Sequence, residues 1–316
     1  MKKIKVGVVG VGYLGQFHAE KYAAMPEVDL VGVVDTDSER GQLIAQKLST
    51  RWFPEPALLL GRVDAVSIVV PTAFHHRVAL PFLEQGVHVL LEKPVTVTLD
   101  QADEVIAVSD RTNAVLQIGH IERFNPAVTS IKKLLTSPRY ITAERAAPFT
   151  VRCTDVNVIL DLMIHDLDIV VDLAGSDPKE ISAAGASVMT TETDTATARI
   201  VFENGCIADV TASRVSDEKK RMLRVFDGDN LYTSDYQTQK ATVSRKAGDR
   251  VVELVAKDIA TERRDTLNEE IRSFVHCIGT GTRPLVSGRE GRRALALATL
   301  ITRNITSGMS GFVPFT

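Results

Sequence analysis

The sequence has little cysteine. Among its 316 residues the cysteines are Cys153, Cys206 and Cys277, and no two of them form a Cys-x-x-Cys pair. An odd number of cysteines at this spacing argues against a disulfide framework and against a cysteine zinc site. It agrees with a reducing compartment, so we expect a cytoplasmic protein.

The chain also lacks a strong excess of charge and a long apolar run. A net charge of -3 gives no reason to expect nucleic acid or an anionic membrane as a partner. No uncharged stretch reaches the ~18 residues that a membrane helix needs. The N-terminus starts with positive charge, but Gly7, Gly10 and Gly12 interrupt its apolar stretch. We therefore predict a first strand there, and no signal peptide.

The pattern of predicted strands and helices changes near residue 120. The length of the chain suggests about two domains, at ~150 residues each. Before this point, apolar strands alternate with helices, which predicts an α/β fold with a doubly wound parallel sheet. Beyond it, a long helix at 158–174 precedes seven short strand-like segments, and two helices close the chain. This half indicates an α+β domain with an open, mostly antiparallel sheet. We predict domains at 1–121 and 122–316.

A glycine-rich turn, Gly10-Val11-Gly12-Tyr13-Leu14-Gly15, follows the first predicted strand. Gly10 permits a tight turn, Gly12 lets a pyrophosphate approach the backbone, and Gly15 allows close packing of helix on strand. The N-terminus of the next helix would then face the phosphates. A glycine-rich turn without a ligand is the alternative for the motif alone.

Asp35 strengthens the dinucleotide interpretation, because it ends the second predicted strand, where an acid accepts the ribose hydroxyls. A solvated acid at a strand end is the alternative. The carboxylate favours NAD, since it would repel a 2′-phosphate, while nearby Arg40 leaves NADP open.

Glu92-Lys93-Pro94 follows another apolar strand. Ligands in open α/β sheets bind at the carboxyl ends of the strands, so Lys93 would lie beside the nicotinamide. A partly buried lysine next to a cationic cofactor loses its proton more readily and can act as general base or acid. Glu92 would orient it. A surface lysine before a turn proline is the competing interpretation.

Other polar residues occupy comparable positions. His75 and His76 follow Pro71-Thr72 at a strand end, and we expect one histidine to touch the nicotinamide region. Asp161, His165 and Asp168 lie on one face of an otherwise apolar predicted helix, which predicts that they line a cleft. A structural hydrogen-bonding row is the alternative, and we expect no metal there. Arg123 would either bind a substrate phosphate or pair with an acid.

These motifs together resemble the Gfo/Idh/MocA oxidoreductases along essentially the whole chain. The resemblance implies a Rossmann domain, hydride transfer on a sugar or cyclitol, and a homodimer or homotetramer. It assigns acid–base work to Lys93 and His165, and gives Asp161 the substrate hydroxyl or the orientation of His165. Met163 stands where many relatives have glycine. The predicted cofactor contacts are Gly10, Gly12, Tyr13, Leu14, Gly15, Asp35, Thr36, Arg40, Pro71, Thr72, His75, Glu92 and Lys93.

Within the family, the segments 119–126 and 161–168 resemble the subgroup of bacterial UDP-N-acetylglucosamine 3-dehydrogenases, which serve lipid A biosynthesis, and related nucleotide-sugar enzymes. An arginine such as Arg123 or Arg145 would then meet the substrate phosphates. The alternatives are a dehydrogenase of inositol, a free aldose or a dihydrodiol, and a regulator that binds a dinucleotide without catalysis. The predicted substrate contacts are Lys93, Arg123, Asn125, Arg145, Asp161 and His165.

Overall fold

The computed structural model describes residues 3–150, 156–247, 253–259, 261–308 and 311–315. Cys153 lies outside these ranges. By contacts the chain divides into two compact units. Unit 1 comprises Met1–Ile121 and Asp265–Arg292, and unit 2 comprises Glu122–Arg264 and Arg293–Thr316. Within the described residues, no helix is both long and apolar enough to cross a membrane.

The first part of the chain alternates strands with helices, as predicted. The strands are β1 (Ile4–Val9), β2 (Val28–Val34), β3 (Arg51–Phe53), β4 (Ala65–Ile68), β5 (His88–Glu92) and β6 (Leu116–Gly119). The helices are α1 (Gly15–Ala24), α2 (Ser38–Lys47), α3 (His75–Glu84) and α4 (Leu99–Thr112). All strand pairs are parallel, in the order β3-β2-β1-β4-β5-β6. The prediction of a doubly wound Rossmann sheet is confirmed.

The middle of the chain forms a mixed sheet. The helices in this part of the chain are α5 (Pro126–Lys132) and α6 (Ile164–Ala174). The strands are β7 (Pro138–Ala146), β8 (Pro178–Ala186), β9 (Thr195–Phe202), β10 (Ile207–Ser213), β11 (Lys220–Asp227), β12 (Asn230–Asp235), β13 (Lys240–Ala247) and β14 (Glu253–Ile259). The chain closes with α7 (Thr266–Thr280), α8 (Gly288–Thr306) and β15 (Val313–Pro314). The strand order is β14-β13-β12-β11-β7-β10-β9-β8-β15. The β7–β10 pair is parallel and the other pairs are antiparallel, which confirms a mostly antiparallel second sheet.

Two local features differ from the sequence predictions. The helix predicted over 158–174 is α6 preceded by a π-helical turn at Ile159–Met163. The residues 265–292, which we predicted in the second domain, belong to unit 1. The reason is packing, because Leu267, Ile271 and Phe274 of α7 join the same core as the strands and helices of residues 4–52.

Candidate active-site residues

The glycine-rich turn connects β1 to α1. Gly10 adopts a φ of 85°, and a Cβ there would lie 2.4 Å from the Val69 carbonyl oxygen. A Cβ on Gly15 would lie 1.9 Å from the Gly10 carbonyl oxygen, so neither position accepts a side chain without a backbone shift. A Cβ on Gly12 would meet no atom of the described residues within 4 Å. The packing of the fold therefore explains why positions 10 and 15 carry glycine. At Gly12 the packing does not require glycine, and the bare backbone fits the approach of a pyrophosphate.

The neighbouring side chains Tyr13 and Leu14 are exposed, and Leu14 precedes the first helical residue of α1. Helix α1 contains no acidic residue in its first turn. Because a helix N-terminus carries partial positive charge, the absence of an acid there leaves this end suited to a phosphate.

Asp35 follows β2 and ties the glycine turn to α2. Its carboxylate accepts hydrogen bonds from the amides of Val11, at 3.0 Å, and Asp37, at 2.9 Å. The guanidinium of Arg40 donates to both carboxylate oxygens, at 3.1 and 2.7 Å. Burial acts to raise the pKa of Asp35, but these hydrogen bonds outweigh it and hold the pKa below its ordinary value. The carboxylate is therefore fixed as an anion beside the turn, with Thr36 exposed next to it.

The ring of His75 bridges the two chain segments that follow β4 and β5. One ring nitrogen, Nδ1, lies 2.8 Å from the carbonyl oxygen of Pro94, and the other, Nε2, lies 2.9 Å from that of Val70. Burial lowers the pKa of His75, and the hydrogen bonds to the two carbonyls oppose this effect. The ring thus links the Pro71-Thr72 segment to the turn after Lys93. His76 instead lies at the surface, where it pairs with Glu104 at 2.7 Å.

Lys93 comes directly after β5, at the same carboxyl edge of the sheet as the glycine turn and Asp35. Its backbone amide donates to the Glu92 carboxylate, at 3.3 Å. The other Glu92 oxygen lies 3.2 Å from Nε2 of His18 on α1. A Cβ at Gly119 would come within 2.8 Å of the Glu92 carboxyl group, so a side chain there would displace that carboxyl group. Glu92 therefore holds the Lys93 backbone in place.

In unit 2, the predicted row of polar residues separates into two parts. Asp161, in the π-helical turn, and His165, in α6, are partly exposed, whereas Asp168 is buried. One oxygen of Asp168 lies 3.7 Å from Nη1 of Arg123. Asp161 and His165 can therefore reach a ligand from this helix, while Asp168 belongs to an ion-pair cluster.

Both predicted phosphate-binding arginines are buried with acids. Arg123 pairs with Asp172 at 2.8 Å. Arg145 donates to both oxygens of Asp166, at 2.7 and 3.2 Å, and approaches Glu122 at 3.4 Å. Burial alone would lower the pKa of Arg145, but these carboxylates raise it above its ordinary value. For either arginine to bind a substrate phosphate, one of these ion pairs would have to open.

Asn125 caps α5. Its side-chain oxygen accepts the Ala127 amide at 3.1 Å, and its nitrogen donates to Glu122 and to the Tyr236 carbonyl, each at 3.0 Å. The side chain is 1% exposed, so these bonds give it a structural role.

Several residues of these clusters were missed from the sequence. In unit 1 they are His18, Ser67 and Gly119, and in unit 2 they are Asp166, Arg221 and Tyr236. Each acts through contacts between residues far apart in the chain, for which a single sequence carries no signal.

The glycine turn, the acid after β2 and the lysine after β5 lie at one edge of a parallel sheet, which defines a dinucleotide-dependent oxidoreductase. A model described as "Oxidoreductase family, NAD-binding Rossmann fold" matches residues 4–120, and a Gfo/Idh/MocA C-terminal domain model matches residues 138–230. The chain belongs to the Gfo/Idh/MocA family of oxidoreductases.

Relatives of known name support this assignment. The chain is 40% identical to a UDP-N-acetylglucosamine 3-dehydrogenase of Acidithiobacillus ferrooxidans, over 94% of this chain and 96% of the relative. A solved structure of the enzyme with that name from the same organism superimposes with a TM-score of 0.91, covering 97% of this chain and 99% of that one at 38% identity. The scyllo-inositol 2-dehydrogenase (NAD(+)) of Bacillus subtilis is 25% identical over 97% of this chain and 95% of the relative. The protein is thus a dehydrogenase with a nicotinamide dinucleotide cofactor.

Proposed function

We propose that this dehydrogenase oxidises a hydroxyl group of a nucleotide sugar to a ketone, at C3 of UDP-N-acetylglucosamine, with NAD as its cofactor. The observation that carries the chemistry is the position of Lys93 after β5, at the sheet edge that also bears the glycine turn and Asp35. The substrate is inferred from the 40% identical relative of that name.

The proposed acid–base roles are those that the family resemblance implies. Bound NAD supplies the hydride acceptor. Lys93 or His165 takes the proton of the substrate hydroxyl, and Asp161 either binds that hydroxyl or orients His165. The substrate carbon must lie within a near-attack distance of ~3–3.5 Å of its hydride acceptor. Because Glu92 holds the Lys93 amide, the lysine backbone is positioned before substrate binds.

NAD is the proposed cofactor because Asp35 offers a fixed carboxylate after β2, where the adenosine ribose is expected. The negative charge of Asp35 would repel the 2′-phosphate of NADP. Arg40, which is 45% exposed and bound to Asp35, would have to turn away from the acid to receive the phosphate of NADP. The present ion pair therefore favours NAD.

The remaining proposals come from the sequence. The fold gives Arg123, Arg145 and Asn125 internal partners, so their contact with substrate stays a prediction. A homodimer or homotetramer, a cytoplasmic location and a place in lipid A biosynthesis also stay predictions. A regulator without catalysis is disfavoured, because such a protein would not need Lys93, His165 and Asp161 together.

The test is a panel of UDP-N-acetylglucosamine, myo-inositol and glucose, each offered with NAD and with NADP while reduced cofactor is followed by absorbance. We expect turnover with the nucleotide sugar and preference for NAD. Turnover with free polyols alone would overturn the nucleotide-sugar assignment. Binding of NADH without turnover of any sugar would instead favour the regulator.

A further inference from the structure

A buried ion pair of unit 2 lies close to the residues that lead into the π-helical turn. It joins Arg214, which directly follows β10, to Asp194, which directly precedes β9, and Nε of Arg214 lies 2.7 Å from a carboxylate oxygen. Arg214 is 4% exposed and Asp194 is 0% exposed. Because a buried ion pair is stable only where further hydrogen bonds satisfy both charges, the other partners of the two residues show what the pair supports.

Asp194 fixes the loop between β8 and β9. Its Oδ2 accepts hydrogen bonds from three successive amides, those of Val188, Met189 and Thr190, at 2.7, 2.7 and 2.9 Å. Its Oδ1 accepts the Thr190 hydroxyl at 2.8 Å, and Nη2 of Arg214 lies 3.2 Å from the same hydroxyl oxygen. The loop therefore surrounds the carboxylate with donors of its own, and the arginine is bound to both.

Arg214 extends these contacts to the chain before the π-helical turn. Its Nη1 donates a hydrogen bond to the carbonyl oxygen of Val156, at 2.7 Å. The amide of Val158 donates to the carbonyl oxygen of Thr193, the last residue before the ion-paired aspartate, at 2.9 Å. The first and the last of the residues 156–158 are thus held by the arginine and by the loop.

Asn157 connects these anchored residues to the turn itself. Its side-chain oxygen accepts the Leu160 amide at 3.0 Å, and its carbonyl oxygen accepts the Asp161 amide at 3.1 Å. Val158 and Ile159 are buried in the core of the unit, but apolar packing is not directional. The hydrogen bonds therefore set the direction in which the turn begins.

The π-helical turn determines how Asp161 lies relative to His165. The amide of Ile164 donates to the carbonyl oxygen of Ile159, five positions earlier. A turn of this kind takes more residues than an α-helical turn, and single turns of it are frequent at functional sites. A shift at the start of the turn would therefore move Asp161, while His165 lies in the regular helix α6.

We propose that Asp194 and Arg214 are positioning residues, which fix residues 156–158 and thereby the direction of the Asp161 side chain. The positioning role rests on the proposed function, since it acts through the proposed role of Asp161. Neither member of the ion pair is a group that touches the substrate. Because misplacement of a group by ~1 Å can lower a rate by about 10²-fold, loss of the contact with Val156 should be visible in turnover.

The first test is Arg214→Met, which removes the donor to Val156 and leaves Asp194 its hydrogen bonds from the loop. We expect kcat for oxidation of UDP-N-acetylglucosamine to fall by about 10- to 100-fold, while the Kd of NADH stays within about twofold of the wild type. The Kd should stay because all predicted cofactor contacts lie in unit 1. Wild-type kcat in the folded variant would overturn the proposal.

Asp227 provides a matched control for Asp194. It is 3% exposed and accepts the amides of Thr136 and Ser137, at 2.6 and 3.0 Å, so it too fixes a loop of unit 2 through a buried carboxylate. Its hydrogen-bond partners lie outside residues 156–165. Asp194→Asn and Asp227→Asn should both lower the free energy of unfolding, but only Asp194→Asn should lower kcat. Equal losses of kcat would show a structural role alone and would overturn the proposal.

Asn157→Ala tests whether the effect passes through this segment, because it removes the hydrogen bond to Leu160 and leaves the ion pair intact. It should also lower kcat. In the double variant with Arg214→Met, the loss should be smaller than the product of the two single losses, since both changes release the same segment. A loss equal to that product would mean independent effects and would contradict the proposed route.

Hydrogen–deuterium exchange followed by mass spectrometry tests the anchoring without any substrate. The peptide that contains the Leu160 and Asp161 amides should exchange faster in Arg214→Met than in the wild type, and it should exchange at the wild-type rate in Asp227→Asn. Unchanged exchange in Arg214→Met would overturn the proposal.

Circular dichroism establishes that each variant folds. Arg214→Lys serves if Arg214→Met does not fold, because it keeps a positive charge beside Asp194 but lacks the planar fork that also reaches Val156. If the wild type oxidises no sugar, the proposed function fails, while the exchange measurement still decides whether the ion pair fixes residues 156–158.

Discussion

Both units contain buried carboxyl groups. The two units differ in whether a buried basic side chain pairs with them. In unit 2, Asp166 and Glu122 surround Arg145, so the buried negative charge has a buried positive partner. In unit 1, Glu270 is fully buried, and among the described residues its carboxyl oxygens have no hydrogen-bond partner. The difference separates a buried ion-pair cluster from a carboxyl group that is buried without a basic partner among the described residues.

The distinction follows from desolvation. A buried ion pair offsets the cost of removing both charges from water only while both partners are present. A buried carboxyl group without a counter-charge avoids that cost by keeping its proton. Truncating an acid should therefore have opposite effects on stability in the two units.

The largest effect is expected for Asp166→Ala in unit 2. The variant leaves the Arg145 guanidinium buried with a weaker set of acids, so the free energy of unfolding should fall by about 3–5 kcal/mol. Urea unfolding measures this change. The control is Glu180→Ala, which removes an exposed ion pair with Lys179 and should cost less than about 1 kcal/mol. Similar losses in the two variants would show that the buried cluster is not structural.

A smaller effect is expected in the glycine turn of unit 1. There, one variant should change the stability of the fold and another should change the affinity for NADH. Gly15→Ala forces a methyl group against the Gly10 carbonyl and should lower the free energy of unfolding by about 1–3 kcal/mol. Gly12→Ala meets no described atom within 4 Å, so the fold should keep its stability while NADH affinity falls. Urea unfolding and fluorescence titration with NADH check the two outcomes. Undiminished NADH affinity in Gly12→Ala would argue against pyrophosphate binding at this turn.

The smallest effect is expected for Glu270→Met in unit 1, and its sign is reversed. Removing a buried carboxyl group without a counter-charge should raise the free energy of unfolding at neutral pH by about 1 kcal/mol. Because the folded pKa of Glu270 is raised, its contribution to stability is full below the unfolded pKa of ~4.3 and declines as the pH rises towards the folded pKa.

Urea unfolding of wild type and Glu270→Met across this pH range should therefore give curves that diverge as pH rises. Glu84→Met is the control, since Glu84 is exposed on α3 of the same unit, and it should follow the wild type. A loss of stability in Glu270→Met that is the same at every pH would indicate a packing role for Glu270 in place of a protonated one.

The sequence was informative where function depends on local spacing. Gly10, Gly15 and Asp35 could be predicted because each lies at a fixed distance from a strand end, and the turn conformation excludes side chains at both glycines. The seven strand-like segments after residue 174 correspond to β8–β14, because alternation and turn residues are also local signals.

Long-range placement could not be read in the same way. The amphipathic pattern of α7 predicts a helix but does not say which of two cores it packs against. The pairing of Arg145 with Asp166 spans 21 positions, and that of His18 with Ser67 spans 49. Arginine, aspartate, histidine and serine also occur commonly on protein surfaces, so these residue types alone do not predict the buried pairs. The π-helical turn carrying Asp161 gave no signal either, since its residues fit an ordinary helix.

The most direct test of the proposed chemistry is Lys93→Ala, measured by NADH formation from UDP-N-acetylglucosamine together with the Kd of NADH. Lys47→Ala is the control, since Lys47 lies exposed on α2 and pairs with Glu20. We expect kcat to fall by about 10²–10⁴-fold in Lys93→Ala, with a much smaller change in the Kd, because the lysine transfers a proton. Turnover close to that of the wild type in Lys93→Ala would contradict a catalytic role for Lys93.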